Sequence, residues 1–257
     1  MVERLRASMQ HFMRLLGQAS DGARTLERDG VVAAVVPACP ERAVLNSVTY
    51  TEAGGLADAY EEIAAAYAEI GATWTVWVHH GDRNAAALLE PRGHFLDAEP
   101  EAMGRELDGV ERPPDRALSE WTAAGRIADV GSINDRSYAF GTDSFTRGLA
   151  RFPEDQAHVY TASQAGEPVA CLMTLDHERN TDIEWVAVVP EARGRGLSGK
   201  LLAHALADAR ERGAETTTLV ATRLGRPVYD RLGYRPLGAL QMWERRRPKR
   251  AGGSPRT

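Results

Sequence analysis

The stretch Val186–Leu202, VAVVPEARGRGLSGKLL, decides how this chain is read. It opens as an apolar run with strand character and breaks at Pro190. A loop follows with Gly194, Gly196 and Gly199 beside Arg193 and Arg195, and the chain then turns helical. A glycine-rich loop that feeds a helix start offers free backbone N–H groups and the positive end of the helix dipole. Glycine also lets a ligand approach the backbone without meeting a Cβ. Those properties suit a phosphate.

The surroundings read as alternating strand and helix. His158–Ser163 and Pro168–Asp176 are strands separated by the turn signal QAGE, and Thr181–Val189 follows. A helix is predicted from Leu197 to Arg212, because Leu201, Leu202, Ala205, Leu206 and Ala209 recur at helical spacing. Gly213 closes it. Thr216–Ala221 is a short strand, Gly225–Tyr234 a short helix ended by Gly233, and Ala239–Arg245 a last strand.

The first half repeats this order. Gly55–Val78 is a helix ending at Gly71 and then a strand, followed by LLEPRGHF (Leu88–Phe95) and EAMGREL (Glu101–Leu107). Gly71-Ala72 parallels Gly213-Ala214, and Gly93 parallels Gly233, at a spacing of about 140 residues in both cases. This is the pattern of an internal repeat of roughly half the chain. The halves differ where chemistry resides: Thr49–Tyr60 lacks the arginine–glycine loop, and Leu89 stands where the second half has Tyr229. The paired prolines of Asp108–Glu120 mark a linker, with the boundary near Pro114. The division is therefore 1–114, 115–247 and a basic tail, 248–257.

Three phosphate sites fit parts of the loop. Gly194, Gly196 and Gly199 satisfy a dinucleotide fingerprint, but the next strand ends in VATR without the carboxylate that holds a ribose. Gly194–Lys200 satisfies a P-loop, but Leu201 stands where a magnesium-binding Ser or Thr is required. The third fits the whole half. Loop, strand and VYDRLGY together resemble the GNAT superfamily of acyl-CoA N-acyltransferases, whose loop reads Arg/Gln-x-x-Gly-x-Gly/Ala. Here it is Arg193-Gly194-Arg195-Gly196-Leu197-Ser198, with Ser198 departing at the last position. The resemblance covers about Leu118–Arg245 and, through the repeat, more weakly the first half. It implies an α+β fold of two tandem mixed sheets flanked by helices. The second carries the complete cofactor loop, and the first is degenerate and structural.

The resemblance also implies acetyl-CoA as co-substrate and an amine of a small molecule or peptide as acceptor. Arg193, Gly194, Arg195, Gly196, Leu197, Ser198 and Gly199 then hold its pyrophosphate. The backbone of Val186, Ala187 and Val188 pairs with its pantetheine arm, and the Val188 N–H faces the developing oxyanion. Tyr229 sits where the family's general acid sits. A phenol, with a pKa of about 10, is protonated at neutral pH and donates to a leaving thiolate. Glu184, flanked by Ile183 and Trp185, is the candidate base; His177, Glu178 and Asp182 are weaker ones. The loop-rich Val130–Leu149 is read as the acceptor segment, with Asp135 and Asp143 as attractors of a cationic amine. The competing class is a non-catalytic acyl-CoA-binding or regulatory module.

Composition excludes other classes. A net charge of −5 argues against generic nucleic-acid binding despite the basic run at Glu244–Thr257. The cysteines Cys39 and Cys171 are far apart and without partner motif, which fits a reducing compartment. The charged N-terminal segment Met1–Gln18 is neither leader nor membrane span and reads as a surface helix. The expectation is a cytoplasmic protein without membrane or nucleic-acid partners. Adjacent His79 and His80 point to opposite faces of a strand and offer no metal site.

Overall fold

A computed structural model describes residues 1–114, 121–122, 125–138 and 143–247. The basic tail, most of the linker's second part and residues 139–142 of the acceptor segment lie outside the described residues. In the first half, α1 (Val2–Leu16) leads into β1 (Arg24–Arg28), β2 (Val31–Val35) and β3 (Ser47–Tyr50). There follow α2 (Ala53–Glu69), β4 (Trp74–His79), α3 (Arg83–Leu89), β5 (Phe95–Ala98) and β6 (Glu101–Glu106). The second half begins with β7 (Trp121–Thr122), α4 (Ile127–Ser137), α5 (Ser144–Gly148), β8 (His158–Gln164), β9 (Glu167–His177) and β10 (Asn180–Val188). It ends with α6 (Leu197–Glu211), β11 (Thr216–Ala221), α7 (Arg226–Arg231) and β12 (Arg235–Arg245).

The strands form a mixed sheet in the order β1-β2-β3-β4-β12-β6-β11-β10-β9-β8-β7, with β5 also on β12. The pairs β3–β4 and β10–β11 are parallel, and the other pairs are antiparallel. Two separate sheets were expected; instead β12 makes one continuous sheet of them. Its first residues, Arg235–Ala239, pair with β6, while Leu240–Arg245 pair with β4. β6 itself lies between β11 and the start of β12. The last strand of each half thus sits in the other half's sheet. β12 also starts at Arg235 rather than the expected Ala239. Pro236 and Gly238 obscure it in sequence, and both are accommodated at a register shift between them.

The glycine turns matched by their spacing carry hydrogen bonds of the same kind. Ala72 N–H donates to Tyr67 O as Ala214 N–H donates to Ala209 O, and His94 N–H donates to Leu89 O as Tyr234 N–H donates to Tyr229 O.

Helix α1 is more than a surface helix. Its apolar stripe, Leu5, Met9, Phe12, Met13 and Leu16, is buried, and each such side chain contributes about 1.5–3 kcal/mol relative to exposure. Phe12, Met13 and Leu16 share one core with Ile127, Val130, Phe145, Cys171 and Ala187 of the second half. Among the described residues, no helix is long and apolar enough to cross a membrane.

Candidate active site

The site starts at a break in β10. This strand pairs with β11 only over Asn180–Ile183, against Thr216–Leu219. Beyond Ile183 the two strands part. On its other side, β10 slips one residue against β9 between Glu184 and Ala187. Trp185 takes the extra position in the left-handed region, φ +48, which is strained for a bulky residue. Packing holds it there. Its ring meets Phe12 edge-on at 5.2 Å and Phe145 at 5.8 Å, and its carbonyl accepts from the Cys171 thiol at 3.6 Å.

The bulge sets which way the backbone faces. Val189 N–H donates to Val169 O of the β9 side at 2.9 Å. Strand alternation then aims Ala187 N–H at β9 and the N–H groups of Val186 and Val188 at the open side. Those three residues were expected to meet the pantetheine arm, and two of them turn their donors toward the gap where β11 has left. The Val188 carbonyl, also on that side, accepts from Arg193 Nε at 3.1 Å.

The loop beyond carries two left-handed glycines, Gly194 at φ +78 and Gly196 at φ +71. A Cβ built on either meets no atom within 4 Å, so the space over the loop is open. Gly196 is the N-cap of α6. Lys200 N–H closes the first turn on Gly196 O, leaving the N–H groups of Leu197, Ser198 and Gly199 without an intrahelical acceptor. Open space, free donors and the helix dipole fit a diphosphate. The two arginines do more than supply charge. Arg193 also reaches the Ser137 carbonyl at the end of α4 at 2.9 Å, and Arg195 donates to Gln164 Oε1 at 2.7 Å. Both therefore pin the loop to neighbouring elements.

The first half is built differently at the corresponding point. β3 ends at Tyr50 and α2 begins at Ala53, with only Thr51 and Glu52 between. The β1–β2 turn covers the start of α2: Thr51 N–H donates to Gly30 O at 2.8 Å, and a Cβ on Gly55 would meet Asp29 O at 2.8 Å.

Tyr229 is 7% exposed and packs edge-on against Tyr234, with ring centroids 5.8 Å apart. Burial raises its pKa, and the nearby Tyr138 and Glu184 raise it further. It is therefore protonated at neutral pH. Glu184 is partly buried, and burial, then repulsion from Asp182, pushes its carboxyl well above the ordinary range. Tyr229 and Glu184 are thus electrostatic neighbours. Tyr138, half-exposed at the end of α4, was not picked out from the sequence. Its electrostatic neighbours are Tyr229, Cys171 and Arg193.

Other candidates go elsewhere. Asp135 does not face an acceptor: it is buried and caps α5, accepting from Phe145 N–H at 2.9 Å and Thr146 N–H at 3.0 Å. Asp143 is the N-cap residue of the same helix. His177 stacks on His11 at 4.6 Å, and Glu178 lies in the β9–β10 turn, at the end of β10 away from the bulge. His79 packs on Tyr50. Among the described residues, no group of three or more His, Cys, Asp or Glu is placed to hold a metal ion.

Residues 155–236, which hold the bulged strand, the loop and Tyr229, match the acetyltransferase (GNAT) domain. Residues 155–236 form a GNAT domain. An uncharacterized N-acetyltransferase of Streptomyces griseus is 39% identical over 62 residues, 24% of this chain and 14% of that protein. The match thus spans a small part of the curated relative. A GCN5-related N-acetyltransferase from Kribbella flavida superposes with a TM-score of 0.62 at 19% identity, over 96% of this chain and 95% of its own. Another from Sphaerobacter thermophilus gives 0.57 at 18%, over 95% and 94%. The GNAT fold therefore extends over the length of the chain.

Proposed function

We propose that the second half transfers an acetyl group from acetyl-CoA to a primary amine by direct attack. The observation that carries this reading is the association, in one half, of a bulged β10 parted from β11, an open glycine loop at a helix start, and a buried phenol. The other half has lost its loop and keeps Leu89 in place of the phenol. Arg193–Gly199 hold the pyrophosphate through backbone donors. The open edge of Val186–Val188 takes the pantetheine arm, and the Val188 N–H stabilises developing negative charge on the thioester oxygen.

Bound acetyl-CoA supplies the activated acyl group; the protein supplies positioning and proton transfers. Glu184 relieves the incoming ammonium of its proton, which is needed because a free lysine-like amine has a pKa of about 10.4. Tyr229 donates to the leaving thiolate. We read the chain further as two tandem GNAT units with exchanged last strands, in which residues 1–114 are structural and 115–247 catalytic. The equivalent turn hydrogen bonds and the reciprocal strand positions support this. The acceptor is the amine of a small molecule or peptide. One structural neighbour at 16% identity is a glucosamine N-acetyltransferase region of a fungal β-N-acetylglucosaminidase, which makes amino sugars a reasonable part of the search.

The test is an amine-library screen that follows CoA release. Turnover with at least one amine is expected. Tight acetyl-CoA binding without turnover on any amine would instead favour a regulatory acyl-CoA-binding module.

A further inference from the structure

With Glu184 as base, one buried carboxylate is left without a role. Asp182 is 2% exposed and lies two residues before Glu184, on the same face of β10. Neighbours on that face, the two carboxyls act on each other, and burial disfavours the ionisation of both. Asp182 is held from across the strand pair: its register partner Thr218 donates Oγ1 to Asp182 Oδ1 at 2.9 Å. Thr218 in turn accepts from Asn180 Nδ2 at 2.7 Å, and the same amide reaches Ser8 of α1 at 2.9 Å. Thr216 donates to Asn180 Oδ1 at 2.9 Å and accepts from Arg4 at 2.9 Å. Arg4 closes the ladder at the surface in an ion pair with Glu215.

The cation of this ladder, Arg4, stands at its far end. The other groups around the pair are weakly charged or apolar. Tyr229 feels Glu184 and Tyr234 feels Asp182; His11 of α1 is turned onto His177; and the β9 partners are Met173 and Leu175. Two carboxylates side by side on one buried strand face do not both ionise.

We propose that Asp182 is a positioning residue that makes Glu184 one member of a proton-sharing pair. The inference rests on the acyl-transfer reading above. In the resting state the pair carries one proton and one negative charge, with the Glu184 hydroxyl donating to Asp182. A proton from the acceptor ammonium bonds to the free Glu184 oxygen as the proton already there moves to Asp182. The pair becomes neutral, with two protons, and the amine keeps its lone pair for attack. The proton that nitrogen loses after attack balances the one that Tyr229 delivers to sulfur. The pair returns its extra proton to water.

The test has a spectroscopic arm that needs no substrate. Infrared difference titration of the wild type should show a protonated-carboxyl band persisting into mildly alkaline buffer. In Asp182→Asn, which is isosteric and still accepts from Thr218, the band should titrate away at least about one pH unit lower, because Glu184 no longer ionises beside an anion. The kinetic arm uses an amine found by the screen. Asp182→Asn should lower kcat about tenfold with KM for acetyl-CoA unchanged, a loss within the range of one proton-transfer group. Thr218→Val, which removes a hydrogen bond to the Asp182 anion, should move the acidic limb of kcat/KM upward. Absence of the band in the wild type, an unmoved midpoint in Asp182→Asn, or unchanged kcat overturns the proposal. If the band behaves as stated and no amine is acetylated, the pair is upheld and the acyl-transfer reading falls.

Discussion

At the hydroxyl of Tyr229, burial and function make opposite demands. A phenol packed against Tyr234 and nearly closed to water is costly unless its hydroxyl is hydrogen-bonded. If its proton goes to a departing thiolate, Tyr229→Phe should leave acetyl-CoA affinity unchanged and lower kcat on the order of 10²-fold. The loss should shrink with a thioester whose thiol is more acidic, since that leaving group needs less help. A tyrosine present only for packing would instead change the melting temperature, or nothing. Tyr229 and Glu184 were singled out through the family resemblance of VYDRLGY and of the strand before the loop. The partnership of Asp182 with Thr218 was not, because it depends on the parallel register of two strands separated by a loop and a helix. The inward turn of Arg193 was hidden for the same reason, since its acceptor, the carbonyl of Ser137, lies far away in sequence.

Among the elements, the loop into α6 is the most specific and the easiest to test. Gly196→Val puts a branched side chain into the open space above the helix start and forces it into a left-handed φ. The strain costs roughly 1–2 kcal/mol, too little to unfold a domain of ordinary stability. Titration calorimetry should show acetyl-CoA binding abolished while the circular dichroism spectrum is retained; normal binding would remove the loop from the phosphate site. The loop and helix were readable because glycine spacing and apolar periodicity are local signals. The bulge at Trp185 was not, since nothing in IEWVAV marks an extra residue; it is fixed by Phe12 and Phe145 from other elements. Strands β1 to β3 also went unread, and with them the turn that covers the start of α2.

On the scale of the whole molecule, the exchange of β6 and β12 decides what is separable. The matched glycine turns led the sequence to be read as two units joined by a linker. Exchanged strands mean that neither unit completes its own sheet. Residues 1–114 expressed alone should therefore lack a cooperative thermal transition, whereas co-expression with 115–257 should restore one. An independently folding 1–114 fragment would show that the exchange is dispensable. In the intact chain, calorimetry should find about one acetyl-CoA site, because the first half has the Asp29–Gly30 turn where the second has its loop. Two sites of similar affinity would refute that assignment.

The same exchange bears on how the chain is made. As the ribosome delivers the polypeptide from its N-terminus, the place between β4 and β5 stays vacant until Leu240–Arg245 have been synthesised. An unpaired strand edge recruits other chains, so the nascent first half stays exposed throughout translation of the second half. A premature stop just before Leu240 would leave every proposed active-site residue in place and still open the sheet in the other half. Such a product is expected to be cleared by proteolysis or to aggregate, and its loss of activity would come from that fate and not from damaged chemistry.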